Sequence, residues 1–316
     1  MEKDFWVCWM LRRLFEPPIV HDLLFKGGTS LAKAYHAIRR FSEDLDLTIP
    51  RAVLGFAGEG DIPAAPSRKQ QQKRLDALVA AGGHWVRDVG RPCLAERAAA
   101  ALGRAAGADD WFIDIDEQDE MTLVFRYPSA LDERAYGVSA YIRPAVRLEF
   151  GVRGELEPSE QRPVQPYCTE LFPRLTERPT CDVHVLASQR TFWEKATICH
   201  AEYYRPHASP RPPRISRHYA DVAELAVGEA GREALRRPDL LAAVALHKNV
   251  FFSAAWARYE DATPVGLRLV PHPLLEAELR TDFRQMEVKY FGAPPRFDDV
   301  LARLRELEGR IRPLAG

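Results

Sequence analysis

Net charge is almost absent from this chain. Its 44 Lys and Arg face 45 Asp and Glu, leaving a formal charge of −1. That excludes a global pull toward nucleic acid, so any contact with a polyanion must use a local patch. Cysteine is sparse as well. The five (Cys8, Cys93, Cys168, Cys181, Cys199) are scattered, odd in number and without zinc-ligand spacing. They argue against a disulfide framework and for reduced thiols at a cytoplasmic address. No stretch is apolar for long enough to span a bilayer. The opening MEKDFWVCWMLRRLF is apolar but broken by charges and lacks a signal-peptide layout. Its Phe5, Trp6, Trp9 and Phe15 read as the packing residues of an amphipathic helix. There is no internal repeat. With 316 residues the chain can bury a substantial core, as one large domain or two.

The most informative segment is 25–49, FKGGTSLAKAYHAIRRFSEDLDLTI. Leu23, Leu24 and Phe25 form a short apolar run, the end of a buried strand. Gly27 and Gly28 free the backbone for a tight turn and close approach of a ligand. Leu31, Ala34, Tyr35 and Ile38 recur at helical spacing, which starts a helix near Thr29 or Ser30. Unpaired N–H groups there, with hydroxyls beside them, suit phosphate oxygens. After Arg39 and Arg40 the period becomes two. Leu45, Leu47 and Ile49 point one way and Asp44, Asp46 and Thr48 the other, until Pro50 ends the strand. Adjacent carboxylates repel unless a cation joins them, and magnesium is commonly held by one or two carboxylates plus substrate phosphates. Asp44 and Asp46 would bridge the ions of a two-metal site. Taken alone, Asp-x-Asp on a strand face is also compatible with a merely solvated surface.

The run KGGTSLAKAYHAIRRFSEDLDL closely resembles the signature of the AbiEii/AbiGii nucleotidyltransferase toxins, MenT-like proteins included. The Gly-Gly-Thr/Ser turn followed by Asp-x-Asp is shared across nucleotidyltransferases, whereas RFSEDLDL is more particular to these toxins. The resemblance implies an α+β fold: a polymerase-beta-like nucleotidyltransferase core with a mixed β-sheet, followed by a helical C-terminal domain. The expected division is 1–187 for the core with its N-terminal helix, and 188–316 for a mostly helical part completing the cleft. The implied activity is that of a toxin of a type IV toxin–antitoxin pair. It would transfer a nucleotide, expected to be a pyrimidine, from an NTP to the 3′ end of tRNA, with two Mg2+ ions as cofactor and an antitoxin as partner.

Further residues enter through the same resemblance. In the strand AVRLEFGV, Val146, Leu148 and Phe150 alternate with Arg147 and Glu149. Glu149 is placed as the third carboxylate, taking a proton or helping to hold metal; pairing with Arg147 or Arg153 is the alternative. In QRTFWEKATICHAEYY, Lys195 matches the lysine that binds triphosphate, against an ordinary solvated helix lysine. In ISRHYADVAEL, Asp221 matches an aspartate expected to start a helix near the active site, with Arg217 contacting phosphate or holding it. A helix-start aspartate interacting with the macrodipole is the plainer account, at about 0.3–1 kcal/mol. With Gly27, Gly28, Thr29 and Ser30 cradling the triphosphate, Glu149 or Asp221 would serve as base.

The rest of the chain is read more coarsely. Residues 51–66 form a Gly, Ala and Pro-rich loop, and Ser67 begins a helix to 81 with Leu75, Leu78 and Val79 buried. A second helix covers 92–106, and strands cover 111–115, 121–127 and 141–152. Residues 155–178 are rich in proline without a period, 182–187 form a short strand, and Ser188 is an N-cap. Between 203 and 219 there is no acidic residue, while Arg205, Arg211, Arg214 and Arg217 accumulate beside tyrosines. This is the best local patch for acceptor RNA, with a solvated loop or an antitoxin dock as alternatives. Helical spacing covers 235–252, 273–290 and the last segment, where Val300, Leu304, Leu307 and Ile311 share a face. Ser42, two residues before Asp44, is either a turn serine or a regulatory site, where phosphate would add about −1.5 to −2 charge. Two other functions share the core residues: an antibiotic-type small-molecule nucleotidyltransferase and a non-catalytic nucleotide-binding module.

Overall fold

The computed structural model describes residues 1–17, 22–107, 110–131, 144–172 and 180–315. The chain forms two compact units. One comprises Met1–Ala34 and Glu43–Leu186, the other Tyr35–Ser42 and Ala187–Gly316.

The first unit runs α1 (Glu2–Phe15), β1 (Leu24–Lys26), α2 (Gly27–Lys33), β2 (Leu45–Thr48), α3 (Arg68–Trp85), α4 (Arg91–Leu102), β3 (Phe112–Asp116), β4 (Asp119–Arg126), β5 (Ala145–Gly151), β6 (Ser159–Val164), α5 (Cys168–Leu171) and β7 (Cys181–Leu186). The strands make one sheet in the order β3-β4-β5-β2-β1-β7-β6, with β2 central. It is mixed: β2 is antiparallel to β1 and parallel to β5, and β1 is parallel to β7. Alternation decides its faces. Val146, Leu148 and Phe150 of β5 are buried while Arg147 and Glu149 keep partial exposure on the opposite face. The apolar face is covered by α1, whose Trp6 stacks on Tyr127 and whose Trp9 stacks on Phe125 at 5.6 Å. Trp85 at the end of α3 packs on Phe150. Aromatic pairs of this kind are worth about 0.5–1.5 kcal/mol beyond the area they bury.

The second unit is helical: α6 (Ser188–Tyr204), α7 (Ser216–Leu225), α8 (Glu229–Leu235), α9 (Pro238–Phe251), α10 (Pro273–Met286) and α11 (Phe297–Ile311). Val300, Leu304, Leu307 and Ile311 of α11 are buried as their spacing requires, against a core that includes Phe283 and Phe297. Residues 39–41 join this unit through backbone bonds to 289–291.

Several local expectations are corrected. Helix α2 starts at Gly27, not at Thr29 or Ser30, because Gly27 itself takes the left-handed turn (φ +79°) and the helix follows at once. Ser188 is the first residue of α6, whose cap is Ala187 and has no side-chain bond. Asp221 does not start a helix; it lies in the middle of α7. Residues 155–172 are not irregular, since β6 and the short α5 lie there. The strand was masked by Pro163, which an edge strand tolerates because its N–H side need not be paired. Residues 141–143, expected at the start of β5, and 173–178 lie outside the described residues.

Candidate active site

In the first unit the site is built from the β1–α2 turn and the centre of the sheet. Register sets Lys26 opposite Asp46, Asp46 beside Glu149, and Glu149 opposite Thr122, so four polar side chains cross one face in a row. Asp44 lies two residues earlier on the same face, and both aspartates are partly exposed. Gly27 is required where it stands. A Cβ there would sit 1.8 Å from Asp46 Oδ2 and 2.6 Å from Asp46 Cγ. The lack of a side chain is what lets this carboxylate lie against the turn.

The Thr29 and Ser30 side chains are buried, and their hydroxyls serve the backbone. Thr29 Oγ1 donates to the carbonyl of Asp44 (2.5 Å) and Ser30 Oγ to that of Gly27 (3.0 Å). The pair thus fastens the turn to the start of β2 and fixes where Asp44 emerges. Helix α1 adds support: Lys3 pairs with Glu43 at 2.8 Å, and Asp4 receives Lys33 at 2.7 Å and the Tyr167 N–H at 2.6 Å.

Arg147 adds a second cation to this row, besides Lys26. It binds Asp116 at 2.6 Å and stands 3.7 Å from Glu149. Burial pushes its pKa down, but Asp116, then Glu149 and Asp44, outweigh that and raise it. The sheet-surface pairing foreseen for Glu149 is therefore present, as the looser of two Arg147 contacts.

In the second unit Lys195 and Asp221 meet. Lys195 Nζ lies 3.0 Å from Asp221 Oδ2, with side-chain exposures of 8% and 0%. Lys195 is thus no solvated surface lysine. Asp221 is held chiefly by Arg40, whose Nε and Nη2 donate to Oδ1 and Oδ2 at 2.7 and 2.8 Å; no such bond comes from Arg217. Burial would raise the Asp221 carboxyl, yet Arg40 and then Lys195 overcome it and hold it well below the usual carboxylate range. A carboxylate so stabilised is a weak base. Sequence reasoning passed over Arg40, treating it as the end of a helix; its place inside RFSEDLDL was the signal available.

The basic segment is more balanced than its sequence. Arg205 forms a two-pronged pair with Glu202, and Arg211 lies between Glu202 (3.7 Å) and Glu278 (3.3 Å). The guanidinium of Arg205 also lies over Trp256. Asp282 accepts the backbone N–H of Arg214, and Arg217 lies half-buried in α7. Ser42 is half-buried at the end of the 35–42 stretch.

A family model described as the nucleotidyl transferase AbiEii toxin of type IV toxin–antitoxin systems matches residues 9–303. The chain belongs to this family. No curated protein matches the sequence. As an AbiEii protein it is a nucleotidyltransferase toxin, with an NTP as substrate class and an antitoxin as partner class. No described helix is long and apolar enough to cross a membrane. Among the described residues no three His, Cys, Asp or Glu side chains are gathered for a metal ion. The donor set at the entry to β2, Asp44 and Asp46, is instead a pair of carboxylates, which suits magnesium when substrate phosphates complete its shell.

Proposed function

We propose that this AbiEii protein transfers NMP from a pyrimidine NTP to the 3′ end of tRNA, so that the tRNA can no longer be aminoacylated. The observation that carries the reading is the row on the sheet: Asp46 against Gly27, Asp44 fastened by Thr29, and Glu149 alongside. Asp44 and Asp46 would hold magnesium, which when bound neutralises charge on the triphosphate and on the attacking and leaving oxygens. Gly27, Gly28, Thr29 and Ser30 contribute backbone rather than hydroxyls, because both hydroxyls are donated to carbonyls. Lys195 is the cation proposed for a phosphate oxygen.

The acceptor hydroxyl attacks the alpha phosphorus, the bond to the bridging oxygen breaks, and pyrophosphate leaves. Glu149 takes the hydroxyl proton. Asp221 is not assigned that step, since two cations stabilise its charged form. Positioning and charge neutralisation supply most of the acceleration. The tRNA part of the reading is supported by the family resemblance and by the 203–219 segment. Within it Arg205 and Arg211 are engaged by Glu202 and Glu278, which weakens them as contacts for RNA, and Arg217 is the better candidate.

Incubation of the protein with total tRNA, magnesium and each labelled NTP in turn tests this, with Asp44→Ala/Asp46→Ala as control. The expected result is label from a pyrimidine NTP on the tRNA 3′ end, lost in the double variant. Label on small molecules but not tRNA would move the function to an antibiotic-type transferase. A folded protein that labels nothing would overturn the enzymatic reading.

A further inference from the structure

Asp221 keeps two cations, and the proposed chemistry uses only one. Lys195 is the phosphate-binding candidate; Arg40 has the more extensive contact, two parallel hydrogen bonds from a side chain that is 5% exposed. Arg40 is also fixed from behind. Its backbone bridges Tyr290, the Phe41 N–H donates to the Lys289 carbonyl (2.7 Å), and the Phe291 N–H donates to the Arg39 carbonyl (3.0 Å). Arg39 adds its own N–H and side chain to Glu224 at 3.0 and 3.1 Å. A guanidinium anchored on both sides of its Cα presents its fork in one direction only, and a fork matches a carboxylate as a point-like ammonium cannot.

The charge balance gives this geometry a purpose. Arg39 and Glu224 cancel. Arg40 and Lys195 together face the single charge of Asp221, leaving +1 in a largely buried cluster. The nearby His218 ring is driven toward neutrality by burial, then by Lys195 and Arg217, so it adds no charge at neutral pH. Without Arg40, Lys195 and Asp221 would neutralise each other and the ammonium would be turned wholly to the carboxylate. With Arg40 taking both carboxylate oxygens, Lys195 shares only Oδ2 and uses one of its three donors there. A buried cation with spare donors is costly unless an anion joins it, and a phosphate oxygen supplies that partner.

We propose that Arg40 is a positioning residue: it orients the Asp221 carboxylate so that Lys195 keeps its charge and spare donors for a phosphate of the nucleotide. The inference rests on the reading of Lys195 as a phosphate-binding cation.

Steady-state transfer by the full chain tests it, reading KM for the NTP against kcat, with the melting temperature as a check on folding. Arg40→Lys keeps the charge and loses the fork. Arg40→Met/Asp221→Asn removes both members of the pair and leaves no unpaired buried carboxylate. Arg40→Lys is expected to raise KM roughly 10- to 100-fold, the range known for outer partners of metal ligands. The double variant, which also removes the carboxylate that competes for Lys195, is expected to fall well short of that rise. A folded double variant whose KM rises as far as that of Arg40→Lys would show that the Asp221 carboxylate does not compete for Lys195, and the proposal would fail. If the double variant does not fold, Arg40→Lys decides alone: wild-type KM overturns the proposal and a raised KM sustains it. A change in kcat alone also counts against it, since a smaller folded fraction lowers turnover without moving KM. Lys195→Gln separates the two layers. Wild-type KM in that variant would remove the phosphate reading itself, whatever Arg40 does.

Discussion

At the scale of single residues, small side chains carry large consequences around the aspartates. Gly27 does two things at once: it takes a left-handed φ of +79° and leaves room for the Asp46 carboxylate. Gly27→Ala must therefore strain the backbone, at about 1–3 kcal/mol. It must also push Asp46 aside, because Asp46 Cβ, 2.9 Å from the added methyl, is too close for the carboxylate alone to rotate clear. Displacing a reacting group by about 1 Å costs on the order of 100-fold in rate. Transfer by Gly27→Ala should drop by at least that factor, more than its urea midpoint would explain. Near wild-type transfer would show that Asp46 need not lie against the turn.

At the scale of elements, α6 is secured by a histidine whose protonation state is dictated by its neighbours. His200 is fully buried; its Nδ1 accepts the Arg268 N–H (3.1 Å), so the proton resides on Nε2 and is donated to the Arg258 carbonyl (2.9 Å). Burial, only partly offset by that carbonyl, lowers its pKa in the folded chain. Below the unfolded value of about 6.5 the unfolded chain then takes up a proton that the folded chain refuses. Stability is expected to fall as pH drops from about 7.5 to 5.5, with a limiting slope near 1.4 kcal/mol per pH unit for one histidine. In His200→Gln that part of the slope should vanish, as read by urea titrations at the two pH values. An unchanged slope would assign the effect to other groups.

For the molecule as a whole, each unit carries a buried thiol that reports on it. Cys8 lies in α1 of the first unit and Cys199 in α6 of the second. Burial raises both pKa values, with Lys33 and Lys195 offsetting it only in part. Thiolate is the reactive form, so neither should label in the native state, while the partly exposed Cys93 should react first. Mass spectrometry after brief alkylation, across a urea series, should place Cys8 and Cys199 each at the unfolding of its own unit. Native labelling of either as fast as Cys93 would mean that its unit opens readily.

The sequence by itself determined the parts with a short-range cause. Period-two alternation marked the faces of β2 and β5, because successive strand side chains must oppose one another. Helical spacing marked α11, and the Gly-Gly-Thr-Ser turn together with RFSEDLDL carried the resemblance to the family. The edge strand β6 stayed hidden, since Pro163 is a breaker everywhere except at an unpaired edge. Only the tertiary structure decided how the polar groups are spent. Thr29 and Ser30 read as phosphate ligands but are donated to carbonyls, and Arg205 and Arg211 read as free cations but are paired with glutamates. Asp221 read as a helix start and is a buried carboxylate gripped by Arg40, 181 residues away in sequence. Hydrogen bonds and ion pairs join atoms irrespective of their distance along the chain, and no local period records which partner a charge will find.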